Sequence, residues 1–190
     1  MGCNIHLKLE MREKGQTEWK SVCLTRYENW SDRIYGMFAR LAGVRNYGDK
    51  VQIVPDRGFP DDACDDTKTA YSYIVVSDEE WEEKKSYFES SRLYYVKESR
   101  ANDWVESGYS QEMKPFGNIK FKKITGPDWH TPNWCTTNEM EKCIKDCFYD
   151  KDGKIYPHAD YIEWFALLGA MKGVEQSGEY ECRAVFWFDN

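Results

Sequence analysis

Residues 4–10 carry the feature that most constrains the fold, a strict alternation of polar and apolar side chains. Successive side chains of an extended strand point to opposite faces, so the two sets of this segment separate. Ile5, Leu7 and Leu9 form the apolar set, and Asn4, His6, Lys8 and Glu10 form the polar set. The pattern predicts a strand over residues 3–10 with a core face and, behind it, a polar face that can hold a site.

A second alternating segment covers residues 181–188, with Cys182, Ala184, Phe186 and Phe188 on one face. Both segments need a neighbour that buries their apolar faces, so we predict that they pair within one sheet. The patterns between them predict a hairpin within residues 3–25, a helix capped by Ser31 and ended by Gly43, a strand over 71–76, and helices over 77–89, 136–148 and 159–172. The predicted fold class is α+β: a single domain over residues 1–190, with a mostly antiparallel sheet that includes both terminal strands and packs with three to four helices.

The composition disfavours two classes of partner. The formal charge is −7 and the pI is about 5.1, so bulk nucleic acid is repelled, whereas a local basic pocket for a small anion remains compatible. No apolar run approaches the ~20 residues that span a bilayer. Seven cysteines without a signal peptide indicate free thiols in a reducing cytoplasm. Aromatic residues make up 16% of the chain, enough for a core and for rings that stack on a flat ligand.

The three histidines, His6, His130 and His158, are candidates for a general base or a metal ligand. The segment 128–134 is the densest, with a carboxylate, an imidazole and two indoles ahead of a capped helix whose N-terminus attracts anions. The alternative is that its indoles cover the core and His130 only satisfies a backbone carbonyl. The alternative for His6 is a structural or surface imidazole, and the alternative for His158 is a helix cap.

Two arginines, Arg45 and Arg57, lie in a loop-like stretch over residues 44–70. A guanidinium donates two parallel hydrogen bonds to a phosphate or carboxylate, so both are candidate anion clamps. The alternative for Arg57 is an internal pair with Asp61 or Asp62 that holds the loop. Four aspartates within residues 61–66 are a candidate site for Mg²⁺ or Ca²⁺; a solvated acidic loop is the alternative, since no EF-hand spacing is present.

The cysteines favour structural over catalytic readings. Cys143 and Cys147 share the apolar stripe of the predicted 136–148 helix, which favours burial over metal or disulfide chemistry. Cys3 is a candidate nucleophile near His6 in sequence, but a strand places the two on opposite faces. The sequence contains no CxxC pair, Walker loop, GxGxxG or GxSxG motif. It therefore assigns no cofactor and no metal.

The opening hexapeptide Met1-Gly2-Cys3-Asn4-Ile5-His6 is the most specific motif of the chain. Further motifs are YGMFARLAGVRN over residues 35–46, RGFPDD over 57–62, a His-and-Trp segment over 130–134, and FWFDN over 186–190. Together they resemble a family of small, mostly uncharacterised phage and prophage proteins that begin MGCDIH and share a Y-x-x-F-A-x-L-A-x-V-R block, an R-G-x-P-x-D loop and a closing F-x-F-D-N. Asn4 stands where that family commonly has Asp, so a role of that Asp as a metal ligand or base would be impaired here. The resemblance implies a phage accessory protein and carries no settled activity.

The leading hypothesis is a binding protein, a phage accessory protein of the host cytosol with an anti-defence role, that captures a small nucleotide-like anion. The predicted ligand-binding residues are His6, Arg45, Arg57, Trp129, His130 and Trp134, and we expect His6, Arg45, Arg57 and His130 to line one pocket. The alternative is a metal- or histidine-dependent phosphoesterase with His6, Glu10, Asp128 and His130 as catalytic residues. A third is an acidic inhibitor of a host protein, for which a charge of −7 is modest. The sequence leaves open the ligand, turnover, the metal content and the oligomeric state, a homo-oligomer included.

Overall fold

The computed structural model of this chain describes residues 2–22, 33–118, 120–156 and 162–189. The chain divides into two compact units, Met1–Ala63 with His130–Asn190, and Cys64–Trp129; each is described by itself. Both units combine helices with strands, and the predicted α+β class is confirmed. The single domain stays a prediction. Among the described residues, no helix is long and apolar enough to cross a bilayer.

The first unit is built on a four-stranded antiparallel sheet. Its strands are β1 (Asn4–Glu13), β2 (Lys20–Ser21), β6 (His130–Thr136) and β7 (Tyr180–Asp189), and their order is β2-β1-β7-β6. β1 and β7 pair along their whole length, from Asn4 opposite Asp189 to Glu13 opposite Tyr180. The prediction that these two strands share a sheet is therefore confirmed. The predicted hairpin is formed by β1 and β2, and its part beyond Val22 lies outside the described residues.

The alternation along β1 and β7 divides this sheet into a core face and an outer face. The core face packs against three helices, α1 (Tyr35–Ala42), α5 (Thr137–Phe148) and α6 (Ile162–Glu175). Its buried side chains from the two strands are Ile5, Leu7, Leu9, Cys182, Ala184, Phe186 and Phe188. These are the residues that the alternation predicts, because burial of their apolar surface stabilises only this register.

The helices of this unit follow the predicted stripes with two differences at their ends. α1 ends as predicted at Gly43, which has a φ of 66° and donates its N–H to the carbonyl of Ala39. α6 is buried as predicted through Trp164, Leu167, Leu168 and Met171. It continues past Gly173 to Glu175, because Gly173 lacks the left-handed conformation that ends α1. α1 begins at Tyr35 with Ile34 as its N-cap, and not with the predicted cap Ser31. Ser31 and the predicted start of α6 near Ala159 lie outside the described residues.

Strand β6 replaces the loop that the sequence predicts for this segment. The strand is irregular, since Thr131 has a φ of 47° and the register with β7 shifts between His130 and Asn133. A bulge interrupts the alternation on which strand prediction depends, and Pro132 adds a residue that strands disfavour. The predicted capping box follows directly: Thr136 Oγ1 accepts from the N–H of Glu139 at 3.3 Å, and a Glu139 oxygen accepts from the N–H of Thr136 at 2.9 Å.

We expect the buried thiols of Cys135, Cys143 and Cys182 to react slowly with a bulky thiol reagent. Burial raises the pKa of Cys143 and of Cys182 to about 12, and that of Cys135 well above its ordinary value, so little thiolate exists at neutral pH. Cys147, on the same stripe as Cys143, is only half-buried and should react faster. Native labelling with mass-spectrometric readout checks this, with half-buried Cys64 as the internal control. Labelling of the three buried thiols as fast as Cys64 would contradict the packing.

The second unit contains a three-stranded sheet of β3 (Ser72–Val76), β4 (Tyr94–Lys97) and β5 (Lys123–Thr125), in the order β4-β3-β5. β3 and β4 run parallel and are joined through α3 (Asp78–Ser90), while β5 is antiparallel. The strand and the charged helix predicted over residues 71–89 are confirmed. Two helices, α2 (Asp65–Ala70) and α4 (Glu98–Glu106), were not predicted, because segments of six and nine residues carry little periodic signal.

Candidate functional site

The outer face of the first unit's sheet collects the polar side chains of β1 and the residues opposite them. Because alternation sends every second residue away from the core, this face consists of Asn4, His6, Lys8, Glu10 and Arg12 of β1, Glu181, Arg183, Val185, Trp187 and Asp189 of β7, and Trp134 and Thr136 of β6. Opposite residues form contacts along its length. Glu10 pairs with Arg183, Arg12 with Glu181, and Asn4 with Asp189. The predicted polar face of the first strand therefore carries ion pairs or hydrogen bonds to β7 toward both of its ends.

The RGFPDD segment, residues 57–62, contacts this outer face at three places. The guanidinium of Arg57 lies 4.4 Å from the ring centroid of Trp134, the ring of Phe59 lies edge-on to Trp187 at 6.4 Å, and Asp62 accepts a hydrogen bond from Arg183 at 2.8 Å. These contacts hold the segment against the sheet.

Three guanidinium groups and two indole rings alternate across one end of the outer face. We call this set, Arg12, Trp19, Arg183, Trp134 and Arg57, the Trp–Arg stack. The distances from guanidinium carbon to ring centroid are 4.4 Å for Arg12 over Trp19, 3.9 Å for Arg183 over Trp19, 5.5 Å for Arg183 over Trp134 and 4.4 Å for Arg57 over Trp134. All four lie within the range in which a cation is attracted by the face of an aromatic ring.

Carboxylates hold the cations of the Trp–Arg stack. Glu10 and Arg183 are 0% and 3% exposed, and their closest atoms are 2.7 Å apart. Asp62 also accepts from Arg183, and its second oxygen accepts from the Trp19 indole N–H at 3.0 Å. Burial alone would raise the pKa of Asp62, but the bond from Arg183, its charge and the bond from Trp19 outweigh burial, so the pKa of Asp62 lies below its ordinary value.

Arg57 forms a two-pronged ion pair with Glu139 at the start of α5. Its Nη1 donates to Oε2 at 2.9 Å and its Nη2 to Oε1 at 2.5 Å, and Nη1 also donates to the carbonyl of Trp134 at 2.9 Å. Burial raises the pKa of Glu139, but hydrogen bonds and charge from Arg57, with bonds from Thr136, lower it below its ordinary value. The geometry favours the loop-holding alternative for Arg57, although its partner is Glu139 rather than Asp61 or Asp62.

A cavity of about 330 Å³ opens beside the Trp–Arg stack. Its walls include Arg12, Trp19, Asp62, Trp134, Glu181 and Arg183. The volume lies at the lower end of the range for small-molecule sites, about 300–1,000 Å³. Arg57 contacts Trp134 without itself lining the cavity. Planar rings and charged groups therefore converge on a space that suits a small, flat, polar ligand.

The opposite end of the outer face carries a chain of hydrogen bonds. Arg33 Nε donates to Asn4 Oδ1 at 2.7 Å, Asn4 Nδ2 donates to Asp189 Oδ1 at 2.8 Å, and Asp189 Oδ2 lies 3.0 Å from His6 Nε2. The imidazole of His6 stacks on the Trp187 indole, with centroids 5.6 Å apart. Burial raises the pKa of Asp189, but bonds from Asn4 and His6 lower it below its ordinary value.

Arg45 lies near the start of β1 rather than at the cavity. Its φ is 51°, and its Nη1 donates to the Tyr47 hydroxyl at 3.2 Å. The guanidinium also interacts with the thiol of Cys3, whose pKa burial raises and Arg45 lowers, with a net increase. Cys3 is buried on the core face, so the predicted separation of Cys3 from His6 matches the strand geometry.

The structure does not bring His6, Arg45, Arg57 and His130 into one pocket. His6 stands opposite Trp187 and His130 beside Phe188, and these consecutive residues of β7 point to opposite faces of the sheet. The ring of His130 stacks on Phe188 with centroids 6.0 Å apart, which places it on the core side. A bulge ahead of Asn133 sets this orientation, and the sequence pattern gives no sign of it.

The remaining predicted residues fall in different places. Trp134 borders the cavity, and Glu10 is held in its buried pair with Arg183. Asp128 and Trp129 belong to the second unit, where Trp129 packs on the rings of Tyr71, Tyr73 and Tyr94, with centroids 5.4–5.6 Å away. His158 lies outside the described residues. Among the described residues, no three His, Cys, Asp or Glu side chains are grouped so that they could hold a metal.

Sequence reasoning missed the charged residues Arg12, Glu181 and Arg183 of the cavity and its indole Trp19. One signal was available for Arg183: a charged residue inside an otherwise apolar strand implies a buried partner. Trp19 lies in the connection between β1 and β2, where no periodic pattern marks its direction.

Comparison of the chain with protein-family models, with curated proteins and with solved structures finds no match. The candidate function is therefore argued from the residues of the outer face and its cavity.

Proposed function

We propose that this chain is a binding protein that captures a small, nucleotide-like anion in the cavity beside the Trp–Arg stack. In this proposal it is a phage accessory protein that acts in the cytosol of the host cell and removes a signal of host defence. The observation that carries the proposal is the convergence of two indoles and two guanidinium groups, from Trp19, Trp134, Arg12 and Arg183, on one cavity of about 330 Å³.

The chemistry of these side chains fits the two parts of a nucleotide. A planar base stacks on indole rings and on guanidinium planes alike, and both kinds of surface line the cavity. A phosphate accepts hydrogen bonds from a guanidinium. Arg12 carries five N–H donors, and its pair with Glu181 engages Nε. The terminal nitrogens of Arg12 are 3.9 Å or more from Asp62, which is beyond hydrogen-bond distance.

Three of the segments that resemble the phage family contribute residues at the outer face, which supports the proposed location of the site. The opening motif supplies Asn4 and His6, the RGFPDD segment supplies Arg57 and Asp62, and the closing motif supplies Trp187 and Asp189. These segments are far apart in sequence and meet on the outer face. The proposal of a phage accessory protein rests on this resemblance.

We expect Trp19→Ala to weaken nucleotide binding by about 1–3 kcal/mol, because removal of one stacking ring typically costs this much. Calorimetry with a panel of ribonucleotides measures the affinity, and circular dichroism checks the fold. The matched control is Trp104→Ala in the second unit, which removes an indole that also lies under a guanidinium, that of Arg100 at 4.9 Å. Unchanged nucleotide affinity of Trp19→Ala, or no nucleotide binding by the unmodified protein, would contradict the proposal.

A second candidate function is hydrolysis of such a ligand by a histidine-dependent phosphoesterase. One observation favours it: a carboxylate beside Nε2 fixes the imidazole of His6 so that Nδ1 is the proton acceptor, an arrangement used by general bases. Chromatography of each nucleotide after incubation separates the two functions. Recovery of intact ligand supports capture, and turnover that His6→Gln abolishes supports the enzyme.

A further inference from the structure

The two arginines that line the cavity are held very differently. Arg183 is 3% exposed and is fixed by Glu10, which is fully buried, by Asp62 and by the two indoles of the stack. Moving its guanidinium toward a ligand would break a buried ion pair with Glu10, which is strongly unfavourable. Arg183 is therefore part of the scaffold.

Arg12 is held by an ion pair with Glu181 that is partly exposed to solvent. The Arg12 side chain is 27% exposed and that of its partner Glu181 is 38% exposed, with Arg12 Nε and Glu181 Oε1 2.5 Å apart. An exposed ion pair contributes little free energy, because water solvates both charges when it opens. Glu181 can therefore turn to solvent at small cost and release the guanidinium of Arg12.

The charges that line the cavity determine how many phosphate groups a ligand can carry once Arg12 is released from Glu181. Arg12 and Arg183 carry two positive charges, and Asp62 and Glu181 carry two negative charges, so the closed lining is neutral. Buried Glu10 adds a further negative charge next to Arg183. When Glu181 leaves, one guanidinium becomes available for an anion, while Asp62 and Glu10 still repel additional phosphate groups.

We propose that the cavity takes a nucleotide with a single phosphate group, and that Glu181 occupies the phosphate position of Arg12 until the ligand replaces it. This inference rests on the proposed function and adds the ligand class and a selectivity residue. Glu181 acts as a competitor for one cation. Ligands with two or three phosphates bind more weakly, because the second and third phosphates face carboxylates.

Glu181→Gln tests the competitor with a side chain of the same size. We expect it to bind the four ribonucleoside 5′-monophosphates about 1.5-fold to fivefold more tightly than the unmodified protein does, the range that a partly exposed ion pair represents. Arg12→Gln should lose this binding. The matched control is Glu80→Gln, whose carboxylate pairs with Lys84 at 3.0 Å in the second unit and should change no affinity. Calorimetry supplies the constants, and thermal unfolding confirms that each variant is folded.

The outcomes separate this inference from the proposed function. If Arg12→Gln abolishes monophosphate binding and Glu181→Gln leaves it unchanged, the capture function is retained. The role of Glu181 as a competitor is then overturned. Tighter binding of the triphosphates than of the monophosphates overturns the ligand class. Absence of binding by both the unmodified protein and Glu181→Gln overturns the inference together with the proposed function.

Discussion

Replacement of Arg183 by methionine is expected to lower the free energy of unfolding by about 3–5 kcal/mol, the largest single effect on the outer face. The substitution leaves Glu10, which is fully buried, without the guanidinium that lies 2.7 Å from it. It also removes the cation between Trp19 and Trp134. Urea unfolding followed by tryptophan fluorescence and circular dichroism measures the change.

The double variant Glu10→Leu with Arg183→Met tests the cause. An apolar pair of similar volume commonly replaces a buried ion pair with little loss, so we expect the double variant to regain most of the lost stability. The matched control is Arg100→Met, which removes an exposed guanidinium from Trp104 and should cost less than about 1 kcal/mol. An Arg183→Met variant as stable as the control would show that the buried pair of Glu10 and Arg183 contributes little to stability.

Glu139→Gln is expected to cost about 1.5–3 kcal/mol at neutral pH, the range of a hydrogen bond to a charged group. The Glu139 carboxylate closes the capping box of α5 through Thr136, and it receives both terminal nitrogens of Arg57. Glutamine can keep the capping box, so the expected loss comes from the negative charge that pairs with Arg57. Glu141→Gln on the same helix is the matched control; its carboxylate pairs with Lys145 and Lys172 at the surface and should cost under about 1 kcal/mol.

The contribution of Glu139 depends on pH with a definite sign. Its pKa in the folded protein is lowered, so the unfolded chain binds the proton more readily. The stabilisation is complete above the unfolded pKa of about 4.3 and is lost as the pH falls through the lower folded pKa. Thermal unfolding from pH 7 to pH 3 should therefore show a shallower acid decline for Glu139→Gln. An equal acid decline for Glu139→Gln and the unmodified protein would contradict the cause assigned to the lowered pKa of Glu139.

Periodicity predicted the elements whose apolar side chains recur regularly on one face. The alternation of residues 4–10 and 181–188 gave both faces of the pair β1–β7, because a slip of one residue would expose every apolar side chain. The stripe of α5 and its capping box are local, with spacings of three and four residues. Short segments such as α2, and the bulged β6, contain too few repeats for such a signal.

The candidate site was predicted only in outline, because its contacts are long-range. The sequence marked the polar face of the first strand, together with Arg57 and Trp134, as functional. It could not show that Glu10 meets Arg183, since that pair depends on the register between residues 173 positions apart. Nor could it separate His6 from His130: one bulge reverses which face a side chain takes, and no residue pattern announces that reversal.

The pairing of β1 with β7 has a consequence for synthesis on the ribosome. Asn4 and Asp189 are 185 residues apart, and translation adds about 5–20 residues per second, so β1 is made roughly 10–40 s before its partner strand is complete. Residues 64–129 are contiguous and can pack during that interval. The edge of β1 that faces away from β2 meanwhile lacks its partner strand β7, and exposed strand edges promote aggregation. We therefore expect a nascent-chain chaperone to shield the N-terminal strand until β7 is made.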